Sequence, residues 1–231
     1  MRAAVYAPPA PESTLNRLAA DWLGRDAFSG WPTRPADPLR DPVVADAARY
    51  GFHATLRAPF RLKNGVDLDT LVDRLGALCA GRAPPVIGRL ILGRLGDFFA
   101  LVPAEPEPDL HQIEGGVLQA FEPYRAPLTE EEIARRRPER LSQRQRDCLA
   151  RGGYPFVREE CRFHMTLTGP VPGAAEDWRT DIEARFAPVL GRPLPIDALG
   201  LFVEPAPGAP FRVHSFHPFR ASRACQPAVT S

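Results

Sequence analysis

Leu68, Leu71, Val72, Leu75 and Cys79 recur every three to four residues, the spacing of a helix with one buried face, and Gly81 ends the run. The same spacing predicts a helix through Leu15, Leu18, Trp22 and Leu23, with Ser13 or Thr14 as N-cap and Gly24 as stop. Two more follow: one from Asp109 through Leu110, Ile113, Val117, Leu118 and Phe121, and one over 178–189. Strands are predicted where apolar residues alternate or run together, at 2–6, 52–62, 86–95, 97–102, 161–168, 194–203 and 211–219. Pro59 marks the far half of 52–62 as broken or at a sheet edge, and Gly96-Asp97 is a hairpin turn. Four prolines between Ser29 and Pro42 make that stretch a loop.

The segment 125–153 differs in character, with eight arginines against five acids and few apolar positions. Thr129 and Glu132 form a capping box, Pro138 divides the segment into two short helices, and Gly152-Gly153 closes the second. It reads as a helical insertion or arm. Around it the order strand, helix, strand, strand occurs twice, from Phe52 and again from Phe163. This internal duplication predicts an α+β, bilobal fold: two antiparallel sheets, helices on the outside and a central cleft. The whole chain, 1–231, is expected to be one domain, with lobes at about 43–122 and 154–220, the arm between them and a loose tail over 221–231.

The two copies open alike, Phe52-His53-Ala54-Thr55-Leu56 and Phe163-His164-Met165-Thr166-Leu167. With this composition chance supplies roughly 0.02 His-x-Thr-Leu tetrapeptides, so two at matching places are a strong signal. On a strand, residues two apart share a face. Each histidine therefore shares a face with its threonine, while the apolar residues point into a core. Lobes related by a pseudo-twofold axis would bring two imidazoles and two hydroxyls to one groove. That set suits displacement at phosphorus. One imidazole takes a proton from the attacking water and the other gives one to the leaving oxygen. The hydroxyls donate to the non-bridging oxygens, and no metal or other cofactor is needed in principle. Which histidine is acid and which is base is open. Arg57, two residues past Thr55, shares that face and either meets a phosphate or forms a salt bridge.

Composition narrows the partners. Apolar residues are 44% and charged residues 25%, which excludes wholesale disorder, and a net charge of +1 argues against coating DNA or a membrane. No stretch approaches the length of a membrane span, and none reads as a signal peptide. Cys79, Cys148, Cys161 and Cys225 are scattered, so a zinc ribbon is excluded and buried thiols in a reducing cytoplasm are expected. His111 is expected on a helix surface. His214 and His217 are three apart on a strand, hence on opposite faces, and make a poor metal chelate.

Paired His-x-Thr-Leu strands in a duplicated αβ chain of this size resemble the 2H phosphoesterase superfamily, which includes RNA 2′,3′-cyclic phosphodiesterases. The flanks Tyr50-Gly-Phe-His-Ala-Thr-Leu-Arg-Ala-Pro-Phe and Phe163-His-Met-Thr-Leu-Thr-Gly are similar to the branch associated with bacterial phosphonate-utilisation genes. Tyr124-Arg-Ala-Pro-Leu and Gly153-Tyr-Pro-Phe are similar to that branch as well. The resemblance implies a cleft with His53 and His164 as catalytic residues and Thr55 and Thr166 as phosphate-binding ones. It makes Tyr50, Arg125 and Tyr154 candidates for the substrate end. The expected activity is hydrolysis of a cyclic phosphodiester, on a small sugar or nucleotide phosphate. The alternatives are an RNA or tRNA 2′,3′-cyclic phosphodiesterase, and a protein that binds a phosphorylated ligand without turnover. Near-neutral charge and scarce basic–aromatic interleaving weigh against long RNA. The arginines of the arm (Arg135, Arg136, Arg137, Arg140, Arg144, Arg146) form either a solvated helix face or a basic rim over the cleft.

Overall fold

The first strand, β1 (Arg2–Ala7), is apolar on both faces, as a strand inside a sheet must be. A computed structural model describes residues 1–171 and 175–220. After β1 come α1 (Thr14–Leu23), α2 (Asp41–Tyr50), β2 (Ala54–Phe60) and α3 (Leu68–Ala80). Next are β3 (Val86–Ile87), β4 (Leu90–Leu95), β5 (Phe98–Pro103) and α4 (Pro108–Phe121). The arm holds α5 (Glu130–Arg135) and α6 (Gln143–Gly152), and the chain continues through β6 (Met165–Thr166), α7 (Ala175–Phe186), β7 (Leu194–Pro195), β8 (Ala198–Glu204) and β9 (Arg212–Pro218). The fold is α+β, with two antiparallel sheets. One has seven strands in the order β4-β5-β6-β2-β1-β8-β9, and the other pairs β3 with β7.

The caps read from sequence do what their chemistry allows. The Ser13 hydroxyl accepts the Asn16 N–H, Gly24 ends α1 at φ 74°, and the capping box of Thr129 and Glu132 opens α5. A 3-10 turn at Pro138–Arg140 separates α5 from α6. Helix α2 has only Val44 and Ala47 buried, so its apolar stripe is too short to stand out in the sequence. Each of two long predicted strands breaks in two. Gly88, whose N–H donates to Glu107 Oε1 at 2.7 Å, parts β3 from β4, and β7 is likewise separate from β8. The predicted strand 161–168 shortens to Met165–Thr166, because only there does it ladder with its neighbours. Strand β2 runs through Pro59, which falls in the irregular stretch between the Val5–Arg57 and Ala3–Phe60 pairs. The expected tail, with Cys225, lies outside the described residues.

The two motifs meet differently from two polar faces across a gap. Strands β2 and β6 are neighbours in the middle of one sheet. The repeats interleave: the hairpin β4–β5, which follows the first motif, pairs with β6, and β8–β9, which follows the second, lies beside β1. Alternation then divides the sheet. Val5, Ala54, Leu56, Met165, Leu167, Leu199 and Leu201 enter the main core with residues of α1, α3 and α4. Ala4, Tyr6 and Phe202 turn to the other face and form a small second core with Ala27 and Phe211. Trp22, fully buried, is tied by its indole N–H to the Leu167 carbonyl at 2.8 Å, which pins the strand end beyond the second motif. Truncating such a side chain costs about 3–5 kcal/mol.

Candidate active site

The Cα pairing of Ala54 with Met165 sets the geometry of the site. In an antiparallel pair, the residue before one partner faces the residue after the other. His53 therefore lies opposite Thr166, and Thr55 opposite His164. Opposed side chains of this kind have Cβ atoms about 4.5–5.5 Å apart. The four polar residues are half-buried, while Phe52, Ala54, Leu56, Met165 and Leu167 are buried on the far face. The expected alternation holds in both copies.

Both imidazoles are held in the same way. His53 Nδ1 donates to the Gly51 carbonyl at 2.8 Å and His164 Nδ1 to the Arg162 carbonyl at 2.6 Å. A carbonyl can only accept, so the proton on each neutral ring sits on Nδ1, leaving Nε2 as the reactive atom. The Thr55 hydroxyl donates to His53 Nε2 at 3.1 Å. Gly51 makes the first turn possible: its φ is 77°, and a Cβ there would come 2.5 Å from the Ala27 Cβ.

The surroundings of the two rings differ. The Tyr6 ring lies on His53 at 3.5 Å between centroids and 12° between planes, whereas Phe98 tilts beside His164 at 5.8 Å and 52°. Burial pushes the His53 pKa down to about 3, the Gly51 hydrogen bond opposes it, and the charge of His164 lowers it further. His53 is thus neutral at any ordinary pH.

Arg57 is 3% exposed and donates from Nη2 to Glu122 Oε2 at 2.6 Å; it pairs with Val5 of the main core, beyond a register irregularity that breaks the alternation expected to carry it onto the face of Thr55. Arg125 donates from Nη2 to the other oxygen of Glu122 at 2.6 Å. Of the two readings for Arg57, the structure has the salt bridge, and Arg125 shares its acid. One carboxylate serves two guanidiniums at the foot of the arm. The arm is stitched to the extension of β2 by the Leu62–Arg125 bridge and by Arg61 donating to Glu132 at 3.0 Å. Tyr50 stacks on Phe211 at 5.2 Å, and Arg136 of the arm lies 5.0 Å over the Tyr154 ring. Tyr50 and Tyr154 both act electrostatically on the buried Tyr6 phenol, whose pKa burial drives well up. Phe211 links two of these rings, lying 6.4 Å from Tyr6 and 5.2 Å from Tyr50.

Tyr6, Gly51, Glu122 and Phe98 were not singled out from sequence, because nothing in their own neighbourhoods distinguishes them from packing residues. His217 Nε2 contacts Ser215 Oγ at 2.9 Å, and His111 and His214 are exposed. Among the described residues no three His, Cys, Asp or Glu side chains come together as a metal site. Cys79 is a buried free thiol, pushed by burial up to about 11, and burial takes Cys161 up to about 12.

Comparison with known proteins places these residues in context. A family described as a protein of unknown function (DUF1045) matches residues 55–212, which hold the second motif whole and enter the first at Thr55. A chain of Janthinobacterium sp. (strain Marseille) named ribose 1,5-bisphosphate phosphokinase PhnN is 39% identical over 221 residues, covering 91% of this chain and 49% of that one. A chain of the same name from Laribacter hongkongensis (strain HLHK9) is 36% identical over 231 residues, covering 92% and 50%. The chain thus spans about half the length of the curated relatives it matches. The crystal structure of TT0787 of Thermus thermophilus aligns over 96% of this chain and 100% of that one, at 17% identity and a TM-score of 0.49.

Proposed function

The chain belongs to the DUF1045 family, and from the four-residue cluster at the centre of its sheet we propose that it is a metal-independent phosphoesterase of the two-histidine type, opening a small cyclic phosphodiester with water. The observation that carries the reading is the register of β2 on β6, which opposes each histidine to the other motif's threonine. A phosphorus centre above these strands would have an imidazole Nε2 on either side and a hydroxyl from each strand for its non-bridging oxygens. His53, held neutral by burial, is assigned the base. It takes a proton from water as the new P–O bond forms. His164, half-buried and held through Nδ1 by the Arg162 carbonyl, is assigned the acid, protonating the ring oxygen as the old P–O bond breaks. Thr55 and Thr166 donate to the oxygens on which charge accumulates.

The substrate we favour is a cyclic phosphate of a ribose phosphate. Hydrolysis of such a diester yields a ribose bisphosphate, the class of compound named for the kinase relatives, and the resemblance to the phosphonate-associated branch agrees with it. We do not extend the kinase name to this chain. Its single lysine stands in Leu62-Lys63-Asn64, so it carries no glycine-rich loop ending in Gly-Lys-Ser/Thr to cradle a nucleoside triphosphate.

The test is a hydrolysis screen followed by phosphorus NMR over ribose cyclic phosphates, nucleoside 2′,3′-cyclic phosphates and RNA ends. Turnover of the sugar phosphate, unaffected by chelator and lost in His53→Ala and His164→Ala with the fold intact, is the expected result. Binding without turnover across pH 5–9 would assign the chain to the ligand-binding class instead, and preference for RNA ends would redirect the substrate.

A further inference from the structure

The two motifs have the same sequence pattern and the same Nδ1 tie to the carbonyl two residues back, yet two identical imidazoles do not make an acid and a base. Something outside the motifs must make them unequal. On the His53 side that something is a built wall. Tyr6 lies opposite Thr55 across β1 and β2, 1% exposed, with its ring parallel to His53. Phe202 tilts against both rings, at 4.9 Å from Tyr6 and 5.8 Å from His53. Gly200, opposite Tyr6 in β8, makes room for it: a Cβ there would meet the Phe202 ring at 2.9 Å. Among the described residues, the ring contact of His164 is with the tilted Phe98.

We propose, on the two-histidine reading above, that Tyr6 is the positioning residue that makes the pair unequal, clamping the His53 ring in its plane and excluding water from one face. Two restraints then define the imidazole: Gly51 fixes rotation through Nδ1, and Tyr6 fixes the plane. What remains open is Nε2. The charged neighbour acting on His53 is His164, and Tyr50 and Tyr154 act on the Tyr6 phenol. The stacked Tyr6 and the tilted Phe202 are rings that bury His53, and burial is the larger cause of its shift.

The experiment is an NMR titration of the imidazole carbon-bound protons, assigned with His53→Gln and His164→Gln, in the full chain and in Tyr6→Phe and Tyr6→Leu. In the unsubstituted protein His53 resists protonation to below pH 5. Tyr6→Phe keeps the stack and the His53 titration. Tyr6→Leu moves that titration upward by at least one pH unit and lowers kcat about 100-fold with a smaller change in KM. If Tyr6→Leu does not fold, Phe202→Leu, which loosens the wall behind Tyr6, is expected to shift His53 in the same direction. A His53 that titrates at the ordinary imidazole value of about 6.5, or one that ignores both leucine variants, overturns the proposal. The titration is readable without any turnover, so a protein inactive on cyclic phosphates would sink the enzymatic reading while leaving the asymmetry of the rings to be judged separately.

Discussion

The Gly51 carbonyl holds the His53 ring at 2.8 Å from a backbone conformation, φ 77° and ψ 168°, that L side chains rarely adopt. The helix α2 ends at this glycine, so one residue both stops the helix and aims the imidazole. Gly51→Ala is expected to cost about 1–3 kcal/mol from the backbone alone. More is added by the Cβ, which would lie 2.5 Å from that of Ala27. Denaturant melts should show the loss, and hydrolysis should fall further than stability, because the ring loses its orientation.

His53 also makes a signed prediction about acid. Its folded pKa of about 3 lies below the ordinary imidazole value of about 6.5. Between those values the unfolded chain binds a proton that the folded one does not, so this residue's contribution is neutral above about pH 6.5 and turns against folding as pH falls. His53→Gln removes that term. Relative to the parent, the variant should gain up to about 3 kcal/mol between pH 7 and pH 4. Glu204 and Glu132, with pKa values held near 2 by arginine partners, lose their own stabilisation in stronger acid, but they do so in both proteins and cancel. A parallel pair of stability curves would contradict the buried, neutral ring.

The threonines can be tested without changing volume. Thr55→Val and Thr166→Val each remove one donor, and each is expected to lower kcat about 100-fold or more on a cyclic phosphate. Thr55→Val should also disturb the His53 resonance, since its hydroxyl donates to Nε2 at 3.1 Å.

Glu122 carries the foot of the arm. Removing it in Glu122→Ala leaves Arg57, 3% exposed, without its carboxylate and leaves Arg125 bonded to the Ala126 and Arg151 carbonyls. The carboxylate itself is 39% exposed, which moderates the penalty to about 2 kcal/mol, or a melting temperature lower by roughly 4–8 °C. Proteolysis should then cut within 125–153 before elsewhere. An arm as resistant as before would show that Arg61 and Glu132 suffice to dock it.

Much of the fold can be read from local periodicity. Helices α1, α3 and α4 and the box at Thr129 follow from spacing and capping, which depend on residues a turn apart. Helix α2, with two buried residues, and the splitting of the strand predicted over 86–95 at Gly88 were beyond that signal. In the site, alternation along each motif correctly separates His53, Thr55, His164 and Thr166 from the core residues between them. The face of Arg57 was not legible, because the strand is irregular between Thr55 and Arg57, and its choice of Glu122 over solvent or ligand depends on a residue 65 positions away.

The division has one physical cause. Which way a side chain points is a property of a few consecutive backbone torsions, so the pattern His-x-Thr-Leu settles it twice, unaided by the rest of the molecule. Which strands lie side by side, that Ala54 pairs with Met165, and that Tyr6 stacks on His53 are contacts between distant parts of the chain. Proton affinity depends on the surroundings in space, so the difference between two identical motifs came into being only when the chain folded.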